Sequence, residues 1–223
     1  MLIFLSRECT SRGITHLSCK VNTNDFTSIH ALERNRFNLM DAVLDYIFDF
    51  RKYPIKDFNP LCTIRPFKKK DINSIIEVAR EAFSNHFGRF HIVKRLKKRA
   101  VELYAKWAEN ACQGYGDIVF VAELNKRIVG YSVWKIPNLS EKLLGIRIGS
   151  YNIGVVRPDV HGNGIFKALT LAGMKWFEGK VDIIEGPTHV NNYPVQRGYA
   201  TLEWKIVDAR YTFHKRMRTK TNQ

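Results

Sequence analysis

The stretch Gly154–Phe177, GVVRPDVHGNGIFKALTLAGMKWF, passes within a few residues from β-branched hydrophobics, through a proline and two glycines, into an unbroken helical pattern. Glycine lets backbone amides come close to a bound group, and a helix starting directly behind such a loop presents unpaired N–H donors and a positive dipole end. An anion, most often a phosphate, suits that arrangement. A plain strand-to-helix turn, in which the glycines serve only the backbone angles, uses the same residues.

The surrounding chain has 223 residues, 45% hydrophobic and 26% charged, which is long enough for a real core and too apolar for disorder. Thirty-six Lys and Arg against 21 Asp and Glu give a net charge of +15, a sign that favours anionic ligands without naming one. Cys9, Cys19, Cys62 and Cys112 stand far apart with no CxxC pair. Neither a zinc site nor a disulfide framework is indicated, no metal is expected, and a reducing cytoplasm is the natural setting. The opening MLIFLSRECT is apolar for only five residues, too short for a membrane span and without the basic start of a signal peptide, so it reads as a strand.

HLSCKV, NTNDFTSIHALERNRF and NLMDAVLDYIFDF read as strand, helix and strand, with Asn24 or Asp25 capping the helix and Ile29, Leu32 and Phe37 on its apolar stripe. RKYPIKDFNP, residues 51–60, is a polar linker, so a small β-α-β lobe over 1–60 precedes a larger unit over 61–223. The larger unit opens with the strand CTIRPF, then KKDINSIIEVAREAF, a helix capped by Asp71 with Ile72, Ile75, Ile76 and Ala79 inward. A second helix, IVKRLKKRAVELYAKWAENACQG, sets Leu96, Ala100, Leu103, Tyr104 and Trp107 opposite a basic, solvated face. DIVFVAELNKRIVGYSVWKIP is a hairpin turning at Asn125 and Lys126. SYNIGVV feeds the glycine loop and its helix; VDIIEGPTHV, NNYPVQRGYATLE and WKIVDARYTFH follow as strand, helix and strand.

That order, with VRPDVHGNGIFKALT and NNYPVQRGYATLEW, resembles the GNAT superfamily of N-acetyltransferases over Thr63 to His214. The resemblance implies an α/β (α+β) fold: a mixed, mostly antiparallel central sheet flanked by helices, here with the small N-terminal lobe added. It also implies acetyl-CoA as cosubstrate, its pyrophosphate bound by the loop His161, Gly162, Asn163, Gly164, Ile165 and Phe166. His161 stands where the family pattern has a basic or amide residue, and Phe166 where it has a small one. Gly154, Val155 and Val156 fall on the strand that meets the pantetheine arm, although their apolar side chains suit any buried strand. A narrower likeness, carried by AFSNHFGRFHIVKRLKKRAVELYAKWAENACQGYGDIVFVAE, is to dTDP-fucosamine acetyltransferase and its relatives. It implies a nucleotide-linked amino sugar as acceptor, used for surface polysaccharides in a bacterial cytoplasm, with another small-molecule amine or a protein amine as the alternative.

Acetyl transfer to an amine needs proximity, a neutral amine, oxyanion stabilisation and a proton for the leaving thiolate, and no protein nucleophile. Tyr199 matches the family's general acid, the role its motif favours; an amphipathic core tyrosine is the alternative. Asn192 matches an asparagine near the cofactor; alternatively Asn191 or Asn192 caps the helix, with Pro194 in its first turn. His189 and Glu185 are the candidate bases, a lone histidine being also a common capping or packed residue. Arg89 and His91 suit the acceptor's diphosphate or sugar, or a surface role. A competing class, a non-catalytic protein using the basic helix on nucleic acid, lacks aromatics interleaved on the exposed face, so no nucleic-acid partner is expected. Edge strands and the first lobe are candidates for a homodimer contact.

Overall fold

The computed structural model describes residues 8–84, 94–137 and 140–217, the side chains of 94–98 and 140 excepted. Residues 8–11 form a helical turn where a strand was expected, and the apolar opening itself lies outside the described residues. Strand β1 (His16–Asn22) leads to helix α1 (Phe26–Arg34), which starts because the Asp25 carboxylate accepts the Ser28 N–H at 2.9 Å. Ile29 and Leu32 meet Phe213 in a small satellite core from the helix face their spacing implies; Phe37, expected on the same stripe, joins that core from beyond the helix, which ends at Arg34 ahead of Arg36 at φ 60°. Strand β2 (Asn38–Asp49) follows, and the linker after it lays Tyr53, Ile55 and Phe58 against the main core.

Strand β3 (Thr63–Pro66) precedes helix α2 (Ile72–Ser84), which buries Ile75, Val78 and Ala79 and is entered by way of the Asp71 carboxylate, acceptor of the Lys68 N–H at 2.7 Å. Helix α3 (Lys94–Asn110) packs on α2. Strands β4 (Ile118–Leu124) and β5 (Arg127–Lys135) join through Asn125 and Lys126, at φ 51° and 62°, the left-handed pair a two-residue hairpin needs. A short helix α4 (Ser140–Leu144), not foreseen, comes before β6 (Ile148–Val156). Helix α5 (Ile165–Phe177), strand β7 (Ile183–His189), helix α6 (Tyr193–Thr201) and strand β8 (Lys205–Arg216) complete the order.

All eight strands join one sheet in the order β1-β8-β2-β7-β6-β5-β4-β3, antiparallel except where β6 and β7 run parallel. The strand-helix-strand expected over 1–60 forms, but β2 is hydrogen-bonded between β7 and β8. The boundary near residue 60 therefore separates stretches of chain and not hydrogen-bonded layers. Inserting β2 pairs an edge on each of two strands that would otherwise stand open. Helix α2 covers one face of the sheet, over Val119, Val121, Tyr131, Val133 and Val155. Helices α5 and α6 cover the other, over Phe120, Trp134, Tyr151 and Ile184. No helix among the described residues is long and apolar enough to cross a membrane.

Candidate active site

Strands β6 and β7 pair only at Ile148↔Ile183, Gly149↔Ile184 and Ser150↔Glu185. Beyond that point β6 stays with β5 and β7 stays with β2, so the sheet splits. The split is set by bulky groups and bare backbone. In β6, Tyr151 lies opposite Trp134 and Ile153 opposite Val133, leaving Asn152 as an extra, bulged residue. One inserted residue shifts the side-chain alternation, so Tyr151 and Gly154 share a face. The Tyr151 hydroxyl then occupies the space a Cβ on Gly154 would need. On β7, a Cβ on Gly186 would come within 2.7 Å of the Tyr199 hydroxyl. Each diverging strand thus carries a glycine against a phenol.

A cleft of about 220 Å³ opens at the split. Asn152, Ile153 and Gly154 form its β6 wall, and Phe166, Asn192, Val195 and Tyr199 line it from α5 and α6. Successive β7 residues alternate in direction, so Thr188 turns to the α6 side with Gly186, while Pro187 and His189 turn to the α2 side. There the cleft is bounded by Phe83, Tyr104 and Trp107, with Val43 of β2 and Lys20 of β1. The cleft is therefore reached from both faces of the sheet. Lys20 and Val43 come from the N-terminal segment.

The glycine loop sits at the α5 end. Gly162 and Gly164 have φ of 85° and 72°, so both are required by the backbone itself. A Cβ on Gly162 would meet nothing within 4 Å, leaving its amide approachable. Gly164 is different: the Phe58 ring lies 2.8 Å from where its Cβ would be, and Lys167 Nζ stands 3.9 Å above that ring. The Ala168 N–H donates to the Gly164 carbonyl at 3.0 Å, so the amides of Ile165, Phe166 and Lys167 precede the first helical bond and point to the loop. His161 Nε2 lies 3.0 Å from the Val156 carbonyl, tying the loop to the end of β6. The Asn163 amide donates to the Val160 carbonyl at 3.2 Å, and Val155 is buried in the α2-side core.

Phe166 does not close the cleft. Its ring lies 6.1 Å from Tyr151 and 5.7 Å from Tyr199 between centroids, rests on Gly198, and forms part of the wall that Tyr199 also lines. Tyr199 is only 3% exposed, stacked on Trp204 at 4.6 Å. Burial, with Tyr151 and Tyr46 nearby, holds its phenol well above the ordinary value, so it carries its proton throughout the working range. His189 Nδ1 lies 3.3 Å from Asp41 Oδ2.

Of the other residues read from sequence, Asn192 starts α6 without a side-chain capping bond and lines the cleft. Glu185 is exposed, accepts the Ser150 hydroxyl at 3.1 Å and is not among the lining residues. Arg89 and His91 lie outside the described residues. Trp107, assigned to the buried stripe, is 41% exposed and borders the cleft, while Tyr104 is buried. Positions three apart on a helix diverge by about 60°, so one stripe can hold both a core residue and a rim residue. Sequence reading missed Asp41, Asn152 and Lys20; a lone polar residue inside an apolar strand pattern, as in NLMDAVL and SYNIGVV, was the available signal.

No family model matches the sequence, and no curated protein does. Solved structures do match. A GCN5-related N-acetyltransferase from Sphaerobacter thermophilus has a TM-score of 0.66 at 15% identity, covering 100% of this chain and 69% of that one. A tandem GNAT protein from the clavulanic acid biosynthesis pathway has a TM-score of 0.66 at 13% identity, covering 98% and 69%. A glucosamine N-acetyltransferase region within a fungal multi-domain GH3 β-N-acetylglucosaminidase has a TM-score of 0.62 at 14% identity, covering 87% and 24%. Likeness at such identities establishes the fold, which is that of the GNAT acetyltransferases.

Proposed function

We propose that this chain is an acetyl-CoA-dependent N-acetyltransferase whose acceptor is the primary amine of a nucleotide-linked amino sugar. The observation that carries the reading is the split between β6 and β7, which opens one cleft to the glycine-loop face and to the α2 face at once. The open amide of Gly162 and the first amides of α5 fit a pyrophosphate, and the free backbone edge of β6 at Asn152 to Gly154 fits a pantetheine arm and its thioester carbonyl. The amine enters from the α2 side. A net charge of +15 and Lys20 on that rim favour an anionic acceptor, and a similar structure is named as a glucosamine N-acetyltransferase region. The four free cysteines fit a reducing compartment such as a bacterial cytoplasm.

In this reading His189 accepts a proton from the substrate ammonium, and the neutral amine attacks the thioester carbonyl held by β6 amides. As the C–N bond forms and the C–S bond breaks, the Tyr199 phenol gives its proton to the thiolate. The second amine proton restores the phenol, and His189 returns its proton to water. Acid and base come from opposite faces of one sheet and meet only at its split.

The test is thiol release from acetyl-CoA with a panel of amines: a nucleoside-diphosphate amino sugar, free glucosamine, spermidine, glycine and a lysine peptide. The expected outcome is turnover strongest with the nucleotide sugar, with an acetylated product by mass. Absence of acetyl-CoA binding by calorimetry overturns the enzyme reading; preference for spermidine overturns the acceptor.

A further inference from the structure

We infer that Asp41 is a positioning residue for His189: its carboxylate holds the imidazole in the Nδ1–H form, so that Nε2 is the atom left to take the acceptor's proton. The inference rests on the proposed reading of His189 as base and adds a role for the N-terminal segment that supplies Asp41.

Three features carry it. Asp41 Oδ2 lies 3.3 Å from His189 Nδ1, with the two side chains 10% and 28% exposed, so the contact is largely shielded from water. A carboxylate in that position fixes the tautomer and steadies the imidazolium that proton transfer creates. Such contacts are often long before substrate binds.

The placement is also built by backbone. Leu39 lies opposite Phe213 and Asp41 opposite Thr212, so Met40 is an extra residue in β2. From Asp41 onward the pairing with β8 is regular, so Asp41 stands two residues before Val43 on the same face of β2, and Val43 lies opposite His189.

Finally, three of the other charged groups that the pairing registers place on this face are engaged elsewhere. Arg210 of β8 donates to both Asp45 oxygens at 2.6 and 2.5 Å, Asp208 accepts from Asn22 at 2.6 Å, and Glu185 accepts from Ser150 at 3.1 Å. Lys20 of β1 stands on the same cross-strand row as Thr212 and Asp41, and His214 lies one pleat further along β8. Asp41 is the carboxylate beside the imidazole.

The experiment uses the full chain labelled with ¹⁵N-histidine, with His189→Gln to assign one signal among seven histidines. At about pH 8, where imidazole is neutral, nitrogen-detected spectra should show His189 protonated at Nδ1 in the wild type. In Asp41→Ala, Nε2–H should dominate, as in free imidazole side chains. Turnover with the best acceptor of the panel should fall about 10-fold or more in Asp41→Ala, with acetyl-CoA affinity unchanged, and recover in part in Asp41→Glu. A wild-type signal with Nε2 protonated, or one insensitive to Asp41→Ala, overturns the inference whatever the activity. A panel without any acceptor defeats the enzyme reading, while the spectra still decide the pairing.

Discussion

Tyr151 and Tyr199 meet with ring centroids 6.2 Å apart and planes at 73°, their hydroxyls lodged against Gly154 on β6 and Gly186 on β7, the two strands that part. Two phenols from opposite elements thus stand at the split, and two glycines make room for them.

Crowding at Gly186 is measurable. A methyl there would meet the Tyr199 hydroxyl at 2.7 Å and Trp204 Cζ3 at 2.9 Å. Gly186→Ala should destabilise by about 1–3 kcal/mol through overpacking. In a Tyr199→Phe background part of that loss should disappear, because one of the two crowding atoms is gone. Urea unfolding of the four proteins gives the coupling; strict additivity would show that the hydroxyl is not seated there.

The same Tyr199→Phe substitution should leave acetyl-CoA affinity nearly unchanged and lower turnover about 10²-fold or more, the usual effect of a lost general acid. Isothermal titration and steady-state kinetics separate the two. Full turnover would remove Tyr199 from the acid role.

The loop glycines should differ. Gly162→Ala meets only left-handed backbone strain, about 1–2 kcal/mol, whereas Gly164→Ala also drives a methyl to 2.8 Å from Phe58. Thermal melts should rank Gly164→Ala as the less stable, and Phe58→Ala should narrow the gap. Because the space beside Gly162 is open, its alanine variant should still fold but bind acetyl-CoA about 10-fold more weakly. Unaltered affinity would move the pyrophosphate elsewhere.

Trp107 borders the α2 side of the cleft and makes no part of the glycine loop. Trp107→Ala should raise the acceptor KM about 10-fold while kcat and the acetyl-CoA KM stay within about twofold, the signature of lost binding common to ground and transition states. An acetyl-CoA defect instead would place the two substrates the other way round.

Away from the cleft, the Arg65 guanidinium holds the buried Asp71 carboxyl below its ordinary value, with the Lys68 N–H adding to it. A depressed carboxylate contributes its stability above the unfolded-chain pKa, about 3.9, and loses it as pH falls through the lower folded value. Asp71→Asn should therefore be less stable than wild type by about 1–3 kcal/mol at pH 7. The difference should shrink steadily below about pH 4. Urea midpoints at several pH values check this; a constant offset would mean the charge is irrelevant.

The order of elements was legible because its signals are local: the Asp25 cap, the Ile75 and Ala79 stripe, and the two turn residues Asn125 and Lys126 each act within a few residues of themselves. Gly162, Gly164 and Tyr199 were legible as candidates for the same reason, lying in a short motif. Glu185 was named with His189 because both lie on the same strand, and only position told them apart: Glu185 sits where β6 and β7 are still paired, bonded to Ser150, while His189 lies beyond the split and lines the cleft.

What the sequence determined alone is the run of strands and helices and the glycine loop ahead of α5, since periodicity, caps and left-handed turns are properties of neighbouring residues. Tertiary structure decided the rest. Whether β2 enters between β7 and β8 depends on hydrogen bonds between segments far apart in the chain. A single inserted residue at Asn152 puts Gly154 on the face of Tyr151, because a one-residue shift inverts a strand, and the register of β2 against β7 sets Asp41 beside His189. The cleft exists where those long-range choices meet, which is why no local pattern announces it.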